Sequence, residues 1–107
     1  MSAAAAGALS LEDIGDSRCR LRGSLTFSSA AAAHALGLAR IEALAPGVGC
    51  EFDCSQISEA DSAGLAVLIE WKAAAGKRGA TLRYSGLPES IARLARISDL
   101  ERLLSER

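Results

Sequence analysis

At 107 residues the chain has the length of one domain, enough to bury about two-thirds of the surface its unfolded form exposes. With 50% hydrophobic and 23% charged residues and a mean hydropathy of +0.19, the composition is that of a globular domain and excludes a disordered chain. Twelve basic residues against thirteen acidic ones leave a charge of −1, so no overall field draws the protein to nucleic acid.

The first eight residues are rich in alanine, and no positive side chain precedes Arg18. This opening lacks the basic region and apolar run of a secretion signal; it predicts a flexible tail over 1–8, a single domain over 9–107 and a cytosolic location. Leu9 to Ile14 predicts a weak first strand, closed by Gly15-Asp16. Arg18 to Leu25 alternates strictly, with Cys19, Leu21, Gly23 and Leu25 on one face and Arg18, Arg20, Arg22 and Ser24 on the other. That period of two marks a half-exposed strand whose arginines form the solvated face.

A helix is predicted from Ser28 or Ser29 to about Leu44, capped by serine and stopped by Pro46-Gly47. Its run Ala30 to Ala33 suits close approach to a sheet. It lies in the longest uncharged stretch, Ser24 to Ala39, which is too short and polar to cross a bilayer requiring about 20 apolar residues. No membrane insertion is expected. His34, the one histidine, sits in this helix and reads as a packing or surface residue rather than a catalytic base.

Cys50 to Cys54 predicts a short strand around Phe52, and Thr81 to Ser85 another. Cys50 and Cys54, four residues apart at about 3.3 Å each, would stand about 13 Å apart and cannot bridge. With Cys19 they read as buried small hydrophobes, and a single histidine leaves a zinc site poorly supplied. Between the two strands, Ser62 to Gly76 carries Leu65, Leu68, Ile69 and Ala73 at helical spacing and ends in Lys77-Arg78-Gly79, cations at the negative end of the dipole. Trp71 on this helix belongs either to the core edge or to an interface.

Pro88 opens a further helix with the apolar stripe Ile91, Leu94 and Ala95, and Ser98 to Glu101 reads as a capping box for a last short helix with Leu100, Leu103 and Leu104. Arg93, Arg96 and Arg102 face solvent, anionic head groups or a partner. The order β-β-α-β-α-β-α-α predicts an α/β fold: a mixed sheet covered on one face by helices, its other face polar or covered by a partner. The aromatics Phe27, Phe52, Trp71 and Tyr84 are assigned to the core, with alanine filling the remaining space.

No hydrolase elbow, phosphate loop, dinucleotide fingerprint or metal-ligand spacing occurs, so no catalytic, cofactor-binding or metal-binding residue is assigned and an enzyme is not expected. The informative segment is Asp53-Cys54-Ser55-Gln56-Ile57-Ser58-Glu59-Ala60-Asp61-Ser62-Ala63-Gly64-Leu65. It reads as a strand end, a loop and a helix N-terminus. Ser62 there is an N-cap, and the small Ala63 and Gly64 beside it leave its hydroxyl open to another surface.

Asp53-Cys54-Ser55, Ile57 and Asp61-Ser62-Ala63-Gly64-Leu65 resemble the D-[apolar]-S-x-[apolar]…D-[ST]-x-G-L signature of STAS domains, the family of anti-sigma-factor antagonists and sulfate-transporter tails. The resemblance spans about Leu21 to Leu104. The runs Gly64 to Trp71, Gly79 to Arg83, Gly86 to Glu89 and Leu94 to Arg96 are most similar to the MlaB branch, the cytoplasmic STAS subunit of Mla phospholipid transporters that maintain outer-membrane lipid asymmetry. That resemblance implies a non-enzymatic subunit without cofactor. Its partner would be the transporter's ATP-binding-cassette ATPase (MlaF-like), in a complex with permease and substrate-binding subunits at the inner membrane.

By the same resemblance, Ser62 would lie at the ATPase contact, with Asp61, Ala63, Gly64 and Leu65 completing the contact loop. A bulky residue at Ala63 or Gly64 is then expected to block docking and spare the fold. The alternative is an anti-sigma-factor antagonist in which Ser62 is phosphorylated. STAS domains commonly read G-x-L-D after the second strand, whereas Gly23-Ser24-Leu25 is followed here by Thr26. The missing carboxylate weakens phosphoryl transfer and leaves docking untouched. A docking face without its partner would also favour weak self-association.

Overall fold

The computed structural model describes residues 8–105. The expected tail falls, apart from Ala8, outside the described residues. Four strands, β1 (Ser10–Gly15), β2 (Arg18–Leu25), β3 (Gly49–Ala60) and β4 (Thr81–Ser85), lie side by side in that order. β1 pairs antiparallel with β2, and β2, β3 and β4 run parallel. Parallel neighbours require crossovers, which α1 (Ala30–Glu42) and α2 (Ser62–Lys77) supply, before α3 (Glu89–Ile97) and α4 (Glu101–Ser105) close the chain. This is the expected mixed sheet and element order.

Register explains why the two faces of the sheet differ. Cys19 stands opposite Phe52, and Cys50 opposite Leu82, so their side chains share the face covered by the helices, where all four are buried. The intervening residues form a charged lattice: Arg18 meets Glu51 at 3.6 Å, Arg20 meets Asp53 at 3.4 Å, Arg22 meets Glu12 at 3.8 Å and Arg83 meets Glu51 at 3.9 Å. The more exposed of these pairs add little stability. They keep this face wetted and balanced.

Within the core, Trp71 is fully buried, packs edge-on to Phe52 at 5.5 Å and donates from Nε1 to the His34 carbonyl at 3.1 Å. It is a core residue that ties α2 to α1. The buried hydroxyl of Tyr84 likewise donates to the Leu68 carbonyl at 2.6 Å, so neither aromatic leaves a polar atom unsatisfied. His34 Nε2 lies 3.2 Å from Glu70 Oε1, an α1–α2 surface contact that fits the packing role. Arg93 and Arg96 both approach Glu89 on their own exposed helix face.

Several expectations are corrected. β3 continues through Ala60 instead of ending at Cys54, because the register slips between Arg20 and Arg22 and again between Gly23 and Ser24. Each slip places an extra residue on β3, so burial passes from Cys54 to Ile57 and the period of two is lost from the sequence. Ser24, assigned to the solvated face, is buried at the second slip. Phe27, assigned to the core, is 84% exposed. Of the Ala30 to Ala33 run only Ala33 is fully buried.

Ser29 precedes α1 but does not cap it; its Oγ turns back to donate to the Ser24 carbonyl (2.8 Å) and accept from the Thr26 amide (3.0 Å). Ser98, expected to cap α4, instead ends α3, its amide donating to the Leu94 carbonyl at 3.0 Å. Asp99 follows with φ +60°, the left-handed residue that turns the chain into α4.

The three cysteines are free and buried, as expected of small hydrophobes. Burial pushes the Cys54 thiol up to about 12 and raises that of Cys50. At pH 8 none of the thiols should react with an aromatic disulfide reagent in the folded protein, and all three should react in denaturant. Rapid modification of one thiol before unfolding would contradict this packing.

Candidate functional site

The signature segment runs along the second half of β3 into α2, at the carboxyl ends of the parallel strands, where open α/β sheets place their sites. Its first half builds a bulge. Asp53 Oδ1 accepts from the Ser55 amide at 2.9 Å, holding the chain in the bend that produces the first register slip. Hydrogen bonds from Ser55, and then Arg20, hold the Asp53 carboxyl below the usual carboxylate range despite its desolvation.

Its second half builds a helix start. Asp61, rather than Ser62, is the N-cap, and Oδ1 accepts from the Ala63 amide at 3.0 Å and the Gly64 amide at 3.2 Å. Oδ2 of the same carboxylate accepts from the Phe27 amide at 3.0 Å. One side chain therefore closes α2 and fastens the β2–α1 loop to it. The Asp61 amide donates to the Leu25 carbonyl at 3.4 Å, a further join between the two segments.

These positions separate the contact residues expected from sequence into two groups. Gly64 and Leu65 are buried. A Cβ on Gly64 would lie 2.2 Å from the Leu25 carbonyl oxygen, so this glycine allows α2 to rest on the end of β2, and a bulky residue there disturbs the fold. Ser62 is exposed at the first position of α2, Ala63 is half-buried beside it, and Asp61 acts from below as cap and clamp. Thr26, where the family pattern carries aspartate, is half-buried in the adjoining loop.

Phe27 is the residue that sequence reading missed. Its amide is bound by Asp61 while its ring projects into solvent. The available signal was its place two residues beyond β2, between Thr26 and Ser28, in a segment with no apolar alternation to turn it inward. Basic charge is absent from the adjoining segments: Glu59 and Asp61 precede Ser62, the next charged residue of α2 is Glu70, and α1 has no Asp, Glu, Lys or Arg before Arg40. A shallow depression of about 310 Å³ continues from Ser62 along Leu65, Ala66 and Ile69 to Leu100, with Glu70 and Ser98 on its rim. Among the described residues no group of three His, Cys, Asp or Glu could hold a metal, and no helix is long and apolar enough to cross a membrane.

The Phe27, Gly64 and Ala63 amides hold the Asp61 carboxyl below its usual value, against the opposing effect of burial. A carboxylate depressed in the folded state stabilises it above its unfolded pKa of about 3.9, and that contribution disappears as the pH falls through the folded value. Between pH 6 and 3, Asp61→Asn should therefore lose less stability than the parent in urea unfolding. Parallel pH profiles for the two proteins would remove Asp61 as a source of the acid sensitivity.

A mixed sheet with three parallel strands, two crossover helices and an Asp-Ser helix start at the carboxyl ends of those strands define the class: this is a STAS fold. The anti-sigma factor antagonist SpoIIAA in its unphosphorylated form has the same architecture, with a TM-score of 0.67 and 15% identity over 90% of this chain and 84% of that one. The murine anion transporter Slc26a9 in its inward-facing state matches with a TM-score of 0.60 and 12% identity over 85% of this chain, which corresponds to 18% of the transporter chain. No curated protein matches. A family model described as "Mlab, STAS domain" matches residues 11–105, and the chain belongs to that family.

Proposed function

We propose that the protein is a non-enzymatic regulatory subunit that docks through the N-terminus of α2 onto the ATP-binding-cassette ATPase of an Mla-type phospholipid transporter. The complex would contain the permease and substrate-binding subunits, work at the cytoplasmic side of the inner membrane and maintain outer-membrane lipid asymmetry. Membership of the MlaB-type STAS family supports the partner class. The observation that carries the site is the division of labour between Asp61 and Ser62. Because Asp61 satisfies the Ala63 and Gly64 amides, the Ser62 hydroxyl is left on the surface at the head of a shallow, largely apolar depression with no lysine or arginine in its lining.

Such ground suits a protein surface. Phosphorylation of Ser62 would add a charge of about −2 beside the Asp61 carboxylate, with no basic residue between Ser24 and Ala39 or between Asp61 and Trp71 to pair with it. Release of the partner is the expected consequence. Purification of the tagged protein at its native expression level should recover the ATPase together with its permease. Recovery of a kinase-like ATPase or a sigma-factor regulator in their place would make Ser62 a phosphoacceptor and the transporter assignment wrong.

A further inference from the structure

Within the function proposed above, on which this inference rests, we infer that Phe27 is the anchor of the docking surface and that Asp61 is its positioning residue. Phe27 is 84% exposed, the most exposed of the large hydrophobic side chains among the described residues, and it stands on a loop whose backbone is tied at every turn. Its amide donates to Asp61 Oδ2 at 3.0 Å. The Thr26 amide donates to Ser29 Oγ at 3.0 Å, and that hydroxyl donates to the Ser24 carbonyl at 2.8 Å. The Ser29 amide closes the turn on the Thr26 carbonyl at 3.0 Å.

An aromatic ring held out on a loop fixed in this way loses little freedom on binding, which is the property of an interface hot spot. The backbone donors at Thr26 and Phe27 are already satisfied, so the loop offers an apolar knob with the exposed Ser28 beside it. The matching surface is an apolar socket on a folded protein. A membrane is a poor occupant, because no lysine or arginine lies between Ser24 and Ala39 and the nearby charges, Glu59 and Asp61, are acidic and would be repelled by anionic lipid. Asp61 fixes the knob and the Ser62 surface relative to each other, since its two oxygens hold one each.

The test has two measurements. In the first, the purified ATPase of the phospholipid transporter from the same cell is titrated with the parent protein, Phe27→Ala, Phe27→Leu, Asp61→Ala and the double variant Phe27→Ala/Asp61→Ala. Phe27→Ala should weaken binding at least 30-fold, Phe27→Leu less than Phe27→Ala, and Asp61→Ala by an amount that shrinks once Phe27 is already alanine. Parent-like affinity of Phe27→Ala would overturn the anchor and leave the proposed docking partner standing.

In the second, a photo-crosslinking phenylalanine replaces Phe27 in cells, with the exposed Val48 as control position, and adducts are identified by mass. An adduct with the ATPase at position 27 and none at 48 is expected. A specific adduct with a different identified protein would keep the anchor and overturn the ATPase as partner. Adducts only with a second copy of the chain, only with lipid, or none above the control would overturn the anchor.

Discussion

Replacing Trp71 by alanine should destabilise the protein by about 3–5 kcal/mol, the range for emptying a large buried aromatic site. The indole fills the space between α1, α2 and the sheet, fully buried, with Phe52 against its edge and the His34 carbonyl accepting from its nitrogen. The neighbouring helix has shaped itself to that ring: a Cβ on Gly37 would lie 2.1 Å from the indole Cε2, so Gly37 must be glycine for α1 and α2 to approach. Gly37→Ala should consequently cost about 1–3 kcal/mol by overpacking, despite alanine's higher helix propensity. The two sites touch, so their effects should not add: Gly37→Ala combined with Trp71→Phe should cost less than the sum of the single changes. Chemical denaturation of the four proteins measures this, and strict additivity would mean that the ring and the glycine do not constrain each other.

Gly64→Val should be the next most damaging change, at about 2–3 kcal/mol, because the obstacle is a backbone oxygen. The carbonyl of Leu25 cannot turn aside as a side chain would, and Leu25 Cγ stands behind it at 3.0 Å. The first turn of α2 would have to lift from the end of β2, taking Ser62 and the Asp61 clamp with it. Ala63→Leu, one residue earlier and half-exposed, should keep the parent's denaturation midpoint while obstructing docking. If Gly64→Val unfolds at the parent's denaturant concentration, Gly64 has a surface role and does not pack inward against Leu25.

Much of this architecture was legible in the chain. β2 and β4 were recoverable to the residue, because strict alternation in one and bracketing glycines in the other leave no competing reading. β3 was legible only to Cys54, since two extra residues break its period and a kinked strand looks like a loop to any argument from alternation. The motif at Asp61-Ser62 was visible as a helix start, and its family resemblance matched, yet the cap moved by one residue. Aspartate and serine are comparable caps, and the choice between them was made by the Phe27 amide, a partner 34 residues away that the sequence does not place. Phe27 departs from its expected core position for a related reason. A large aromatic is normally core, and only the loop's hydrogen bonds to Ser29 and Asp61 turn it outward.

Docking of the transporter ATPase on the surface at Ser62 is the proposal from which the other binding effects follow. Calorimetric titration of that ATPase with the parent protein and with Ser62→Asp, each first shown to unfold at the same temperature, tests it. Tight binding by the parent is expected, and at least a 100-fold loss for Ser62→Asp, whose new carboxylate sits on the contact beside Asp61. Equal affinity of the two proteins, or no binding by the parent, would contradict it.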